Sequence, residues 1–128
     1  MSDADDIWDR ALDSSVEPET LGDRAIRDVL RFHGTVMNGG LLAAVELAED
    51  SSDPSLDAVV EGYTVLGMPT AAALVSEAGE RLRAADRESL DDMEELELDL
   101  DPRYETDDDA LLAHLRDTVA QRPQDFTR

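Results

Sequence analysis

Between Thr20 and Leu82 apolar side chains recur every third or fourth residue and nowhere alternate over a useful length. A chain patterned this way can bury helical stripes but not the face of a sheet. Ile26, Val29, Leu30, His33 and Met37 carry one stripe, and Leu56, Val59, Val60, Tyr63 and Leu66 carry another. Ala71, Leu74, Val75, Ala78 and Leu82 carry a third. Thr20 caps the first, with Asp23 three residues on. Asn38-Gly39-Gly40 is the structural turn that ends it, because Asn and Gly tolerate the left-handed backbone common at helix ends. Residues 41–48 are apolar nearly all round and predict a helix enclosed on several sides. Residues 50–54 read as a loop with capping chemistry, and Gly67-Met68-Pro69 as a stop.

The flanks follow the same rules. Residues 5–13 hold Ile7, Trp8, Ala11 and Leu12, a short amphipathic helix that Pro18 separates from the body, with Trp8 as its anchor. Residues 88–98 predict a short helix with Leu90, Met93, Leu96 and Leu98 to bury. Asp107, Asp108 and Asp109 cap a last helix that carries Leu111, Leu112, Leu115 and Val119, and their charge suits its N-terminal dipole. Pro123 ends the pattern, and Phe126 docks the tail. The expected fold is all-α, a single compact domain of six or seven helices in helical-hairpin packing. It divides into an acidic N-terminal segment, 1–19, and a helical domain, 20–128. With 128 residues the chain can bury a core without disulfides, and the absence of Cys removes them anyway. Aromatics make up only 4% of the chain, so Leu, Val, Ala and Met must fill that core.

Charge is the second constraint. The 32 acids outnumber 11 bases, all of them Arg, for a net −21. Thirteen of the acids fall within residues 86–109, against Arg87 and Arg103 alone. Over half the net charge therefore lies in under a fifth of the chain. Were all 24 residues one helix, charge would be spaced along it about as phosphates are along a DNA strand, at roughly 3.4 Å, although Pro102 opposes continuity. Other charges read as structural. Asp23 with Arg27, Arg24 with Asp28, and Glu77 with Arg81 stand four apart, as pairs on solvated helix faces do, and Arg31 joins them. His33 lies on an apolar stripe and reads as a satisfied core histidine.

Several functions are excluded at this level. Asp99, Asp101, Arg103 and Glu105 alternate like a calcium loop, but Tyr104 replaces the turn glycine and Ala110 the final glutamate. His33 and His114 share no metal-ligand spacing, and no phosphate-cradling glycine motif or nucleophile elbow occurs. No cofactor and no catalytic role are expected. Asp3, Asp5 and Asp6 stand where a secretory leader needs positive charge, which favours a cytoplasmic location. No apolar run can span a bilayer, and the net charge repels both anionic lipid and bare nucleic acid. A macromolecule that is itself basic is the expected partner.

Val36-Met37-Asn38-Gly39-Gly40, then Gly62-Tyr63 and Leu66-Gly67, then Leu100-Asp101-Pro102-Arg103-Tyr104 and Pro123-Gln124-Asp125-Phe126 stand in an order that resembles one family. It is that of small bacterial proteins related to DNA mimic protein nineteen, over about residues 24–126. The resemblance implies a compact helical domain that presents an acidic surface to a DNA-binding protein, in particular a transcription factor. Asp91, Asp92, Glu94, Glu95, Glu97, Asp99 and Asp101 are then the candidate phosphate surrogates, with Asp107, Asp108 and Asp109 beside them. Two alternatives stay open: an immunity protein that neutralises a basic toxin, and an acidity that reflects only a saline or GC-rich background. A homodimer stays open too. Crowded carboxylates between Asp86 and Asp109 should also make the fold more stable as salt is added.

Overall fold

Seven α-helices and two 3₁₀ turns make up the computed structural model, which describes residues 3–51 and 54–126. Among these residues there is no strand. The helices are α1 (Ala4–Leu12), α2 (Leu21–Gly39), α3 (Leu41–Glu49), α4 (Leu56–Val65), α5 (Pro69–Ala84), α6 (Leu90–Leu100) and α7 (Asp108–Gln121). The 3₁₀ turns are Asp101–Arg103 and Pro123–Phe126. Ser52 and Asp53 of the expected loop lie outside the described residues.

Most helices start where a short polar side chain can accept an orphan backbone N–H. Asp3 caps α1, Thr20 α2, Ser55 α4, Ser89 α6 and Asp107 α7, each accepting from the N–H three residues on at 2.8–3.3 Å. α5 instead begins on Pro69, which has no N–H to satisfy. α3 follows Gly40, which has no side chain to offer, and its cap comes from elsewhere in the chain.

α2 is central, with α1, α3 and α4 packed around it, and α4 and α5 form the tightest helical hairpin. Ile26, Val29, Leu41, Val45, Val59, Tyr63, Leu66, Val75, Leu82, Leu100, Leu111 and Leu115 are wholly buried in one shared core. Ile7 of α1 belongs to that core, and Trp8 lies half-buried against it. Phe126 is buried too, over Gly22, where any side chain would strike its ring. The docked tail and the anchoring tryptophan are as expected.

Details in the first two helices and their turn differ from the sequence pattern. Met37 is exposed because Val36 takes the core position one residue earlier, as a 3.6-residue period drifting along a 19-residue helix requires. Leu12 is exposed because α1 ends on it. Asn38 and Gly39 remain helical, so only Gly40 of the turn takes a positive φ, 93°. Asp23 does not pair with Arg27. It is buried and takes a bidentate hydrogen bond from Arg10 at 2.8 and 3.1 Å, which ties α1 to α2, while Arg27 lies 3.6 Å from Asp28.

Candidate acidic interaction surface

α6 carries six carboxylates and no base in its 11 residues. Leu96 and Leu100, four residues apart, bury on the body and Met93 lies half-buried beside them, so one narrow stripe fixes the helix's orientation. Everything else faces solvent. Leu90 and Leu98, expected to bury, are 84% and 70% exposed, because α6 meets the body along that one stripe and their positions on the helix fall outside it. Asp91, Asp92, Glu94, Glu95 and Glu97 are exposed, and among the described residues their side chains hold no ion pair or hydrogen bond. A helix of this length spans about 16 Å, so its six acids come roughly every 2.7 Å, slightly denser than phosphates along a DNA strand. The acidic stretch is not one continuous helix: α6 stops at Leu100, where the Asp101–Arg103 turn holds Pro102.

Several arginines sit at seams instead. Arg10 joins α1 to α2, Arg83 reaches Glu49 of α3 at 3.4 Å, and Arg116 of α7 reaches Asp5 of α1 at 3.4 Å. Arg81 pairs with Asp99 and, at 3.5 Å, with Glu77, the one expected four-residue pair that forms. Arg103 completes this cluster with two bonds to Glu77 at 2.6 and 3.0 Å, which hold the Glu77 carboxyl below its ordinary value. The cluster clamps the C-terminal end of α6 to α5. It also neutralises Asp99, so this candidate is less available than the five before it.

The other candidates divide by what they touch. Asp101 is part of the fold: its Oδ1 accepts the Leu42 N–H at 2.9 Å across 59 residues and so caps α3. Its Oδ2 fills the space over Gly40, where a Cβ would strike it. Asp107 caps α7, and only Asp109 of its neighbours stays exposed without a partner among the described residues. Asp108, although exposed, accepts a hydrogen bond from His33 Nε2 at 2.9 Å. With a neutral imidazole, Nδ1 then accepts from the Tyr104 hydroxyl at 2.7 Å, and Tyr104 accepts from Tyr63 at 2.7 Å. This chain runs from the core to the surface and makes His33 the satisfied buried histidine its stripe implied. Burial pushes the Tyr104 hydroxyl up to about 12 and raises Tyr63 further. Sequence reasoning missed the chain because its partners lie 41 to 75 residues apart.

Among the described residues no cluster of His, Cys, Asp and Glu could hold a metal ion, and no helix is long and apolar enough to cross a membrane. The fold and its charge layout define a small helical domain that fastens its seams with arginine and turns one helix of bare carboxylates outward. The chain belongs to the DMP19-like protein family, whose model matches residues 18–122, a span that takes in α2 to α7. No curated protein and no solved structure matches it.

Proposed function

We propose that this protein binds the nucleic-acid-binding surface of a basic protein, with Asp91, Asp92, Glu94, Glu95 and Glu97 of α6 taking the places of DNA phosphates. The observation that carries the reading is that these five carboxylates have no partner among the described residues, on a helix anchored by Leu96, Leu100 and the Asp99–Arg81 pair. Acids that serve only a saline background would be spread over the surface with bases interspersed. Here α6 has none. Close complementary charges raise encounter rates and set orientation, while self-repulsion keeps bare DNA away. The role is binding, with no catalytic step and no cofactor, and the family resemblance points the same way.

Affinity capture from lysate with two variants tests this. One carries Asp91→Asn, Asp92→Asn, Glu94→Gln, Glu95→Gln and Glu97→Gln; the other neutralises Asp6, Asp9, Glu17, Glu61 and Asp117, which are exposed and unpaired elsewhere among the described residues. Each loses five charges. The first should lose capture of basic proteins at moderate salt and the second should keep it. Equal losses, with helicity intact, would leave net charge as the only cause and end the proposal.

A further inference from the structure

The face of α6 opposite its buried stripe carries Asp91 and, two turns on, an apolar side chain, Leu98. Asp91, Glu94 and Glu95 lie seven, four and three residues before it, which places all three on its N-terminal side on one helix face. Asp99 adjoins it, and these four acids with Leu98 line one shallow depression. Leu98 is 70% exposed there. An isolated exposed leucine needs no explanation, but one ringed by carboxylates on a helix without a base does. A DNA backbone presents no aliphatic side chain among its phosphates, so mimicry of charge alone gives Leu98 no work.

We infer that α6 docks an amphipathic basic segment, in which an apolar side chain closes over Leu98 while flanking Arg or Lys heads pair with Asp91, Glu94 and Glu95. This rests on the proposed function, which makes the partner basic, and narrows the chemistry of its surface. Charge complementarity identifies the occupant. The three carboxylates around Leu98 are unpaired among the described residues, and Arg81 holds the fourth, so the cationic heads belong on the N-terminal side. The aliphatic stems of Arg and Lys also cover apolar surface while their heads stay wet. Apolar contact survives screening that weakens the ion pairs, so part of the affinity should persist as salt rises.

Two fluorescein-labelled helical peptides of equal length and equal positive charge test the inference, one with a leucine centred among arginines on one face and the other with glutamine in its place. Anisotropy titrations with the full chain are run at low and at moderate sodium chloride. The leucine peptide should bind about tenfold more tightly, as burial of one leucine side chain implies, and the ratio should hold or widen at the higher salt. Leu98→Gln should abolish the ratio and leave the glutamine peptide's affinity unchanged. Leu47→Gln, at an exposed leucine on α3, should preserve it. Glu94→Gln with Glu95→Gln should weaken both peptides alike. Equal binding of the two peptides by the unaltered chain would overturn the docking of an apolar side chain and leave the basic partner standing; binding of neither at low salt would overturn both.

Discussion

Replacing Asp101 by alanine should destabilise the fold by about 2 kcal/mol, whereas the same change at Glu94, seven residues earlier on the same acidic stretch, should change stability by less than about 0.5 kcal/mol. Asp101 Oδ1 accepts the Leu42 N–H at 2.9 Å, and α3 has no side-chain cap of its own. A hydrogen bond to a charged group contributes about 1.5–3 kcal/mol, and loss of a helix cap costs about 0.5–2 kcal/mol, so the two estimates meet near 2. For 128 residues the unfolding entropy is roughly 270 cal/mol/K, which converts this loss to about 7 °C in Tm. Asp101→Asn keeps an acceptor but loses the charge, so it should cost about half as much. Glu94 has no partner among the described residues and sits among like charges, so its removal should be neutral or slightly stabilising. Urea unfolding at neutral pH, followed by far-ultraviolet circular dichroism and Trp8 fluorescence, measures both. Coincident midpoints for Asp101→Ala and Glu94→Ala would refute the division of the acids into those that hold the fold and those that face a partner.

Alkaline stability should depend on the buried hydroxyl chain. Tyr104 is raised to about 12 by burial and Tyr63 is raised as well, so the folded chain holds these protons more tightly than the unfolded one, with ordinary values near 10.0. Their contribution is fully present below pH 10 and should be lost as pH climbs towards 12, at up to about 1.4 kcal/mol per pH unit for each group. A Tyr63→Phe, Tyr104→Phe double variant should lose stability less steeply across that range, and parallel slopes would count against it. At neutral pH, Tm should rise with sodium chloride between low and physiological ionic strength as self-repulsion of the net −21 charge is screened, and rise less in the five-fold α6 variant; a flat response would mean that seam ion pairs cancel the repulsion. Gly40→Ala should unfold more readily, since its φ of 93° and the Asp101 carboxylate above it both exclude a Cβ, and unchanged urea midpoints would contradict this.

The helices were legible because burial follows a 3.6-residue period that local residues carry: Thr20 and Asp107 announce their helix starts, and Gly67 and Pro69 a stop. What could not be read is what depends on partners distant in sequence. Asp101 looks like Glu94 in composition, and only the return of the chain to Leu42, 59 residues back, makes it a cap. Asp23 has an arginine four residues on, yet Arg10, thirteen residues earlier, takes it because α1 folds back over α2. α6 posed a different problem. Leu90, Met93, Leu96, Leu98 and Leu100 permit more than one buried stripe, and packing chose Leu96 and Leu100, which left Leu90 and Leu98 outside. Density and the family resemblance singled out ten candidate acids alike, whereas telling the bare ones from Asp99 needed Arg81 from α5 to be placed beside it.

Whether α6 stands in for DNA is tested most directly by competition. A basic DNA-binding protein captured by this chain is loaded with a fluorescent duplex, and the chain is added while anisotropy reports the bound DNA. The unaltered chain should release the duplex, the five-fold α6 variant should fail to do so at the same concentration, and the variant neutralised at Asp6, Asp9, Glu17, Glu61 and Asp117 should release it nearly as well as the unaltered chain. A ternary complex in which the duplex stays bound, or equal release by both variants, would contradict the account.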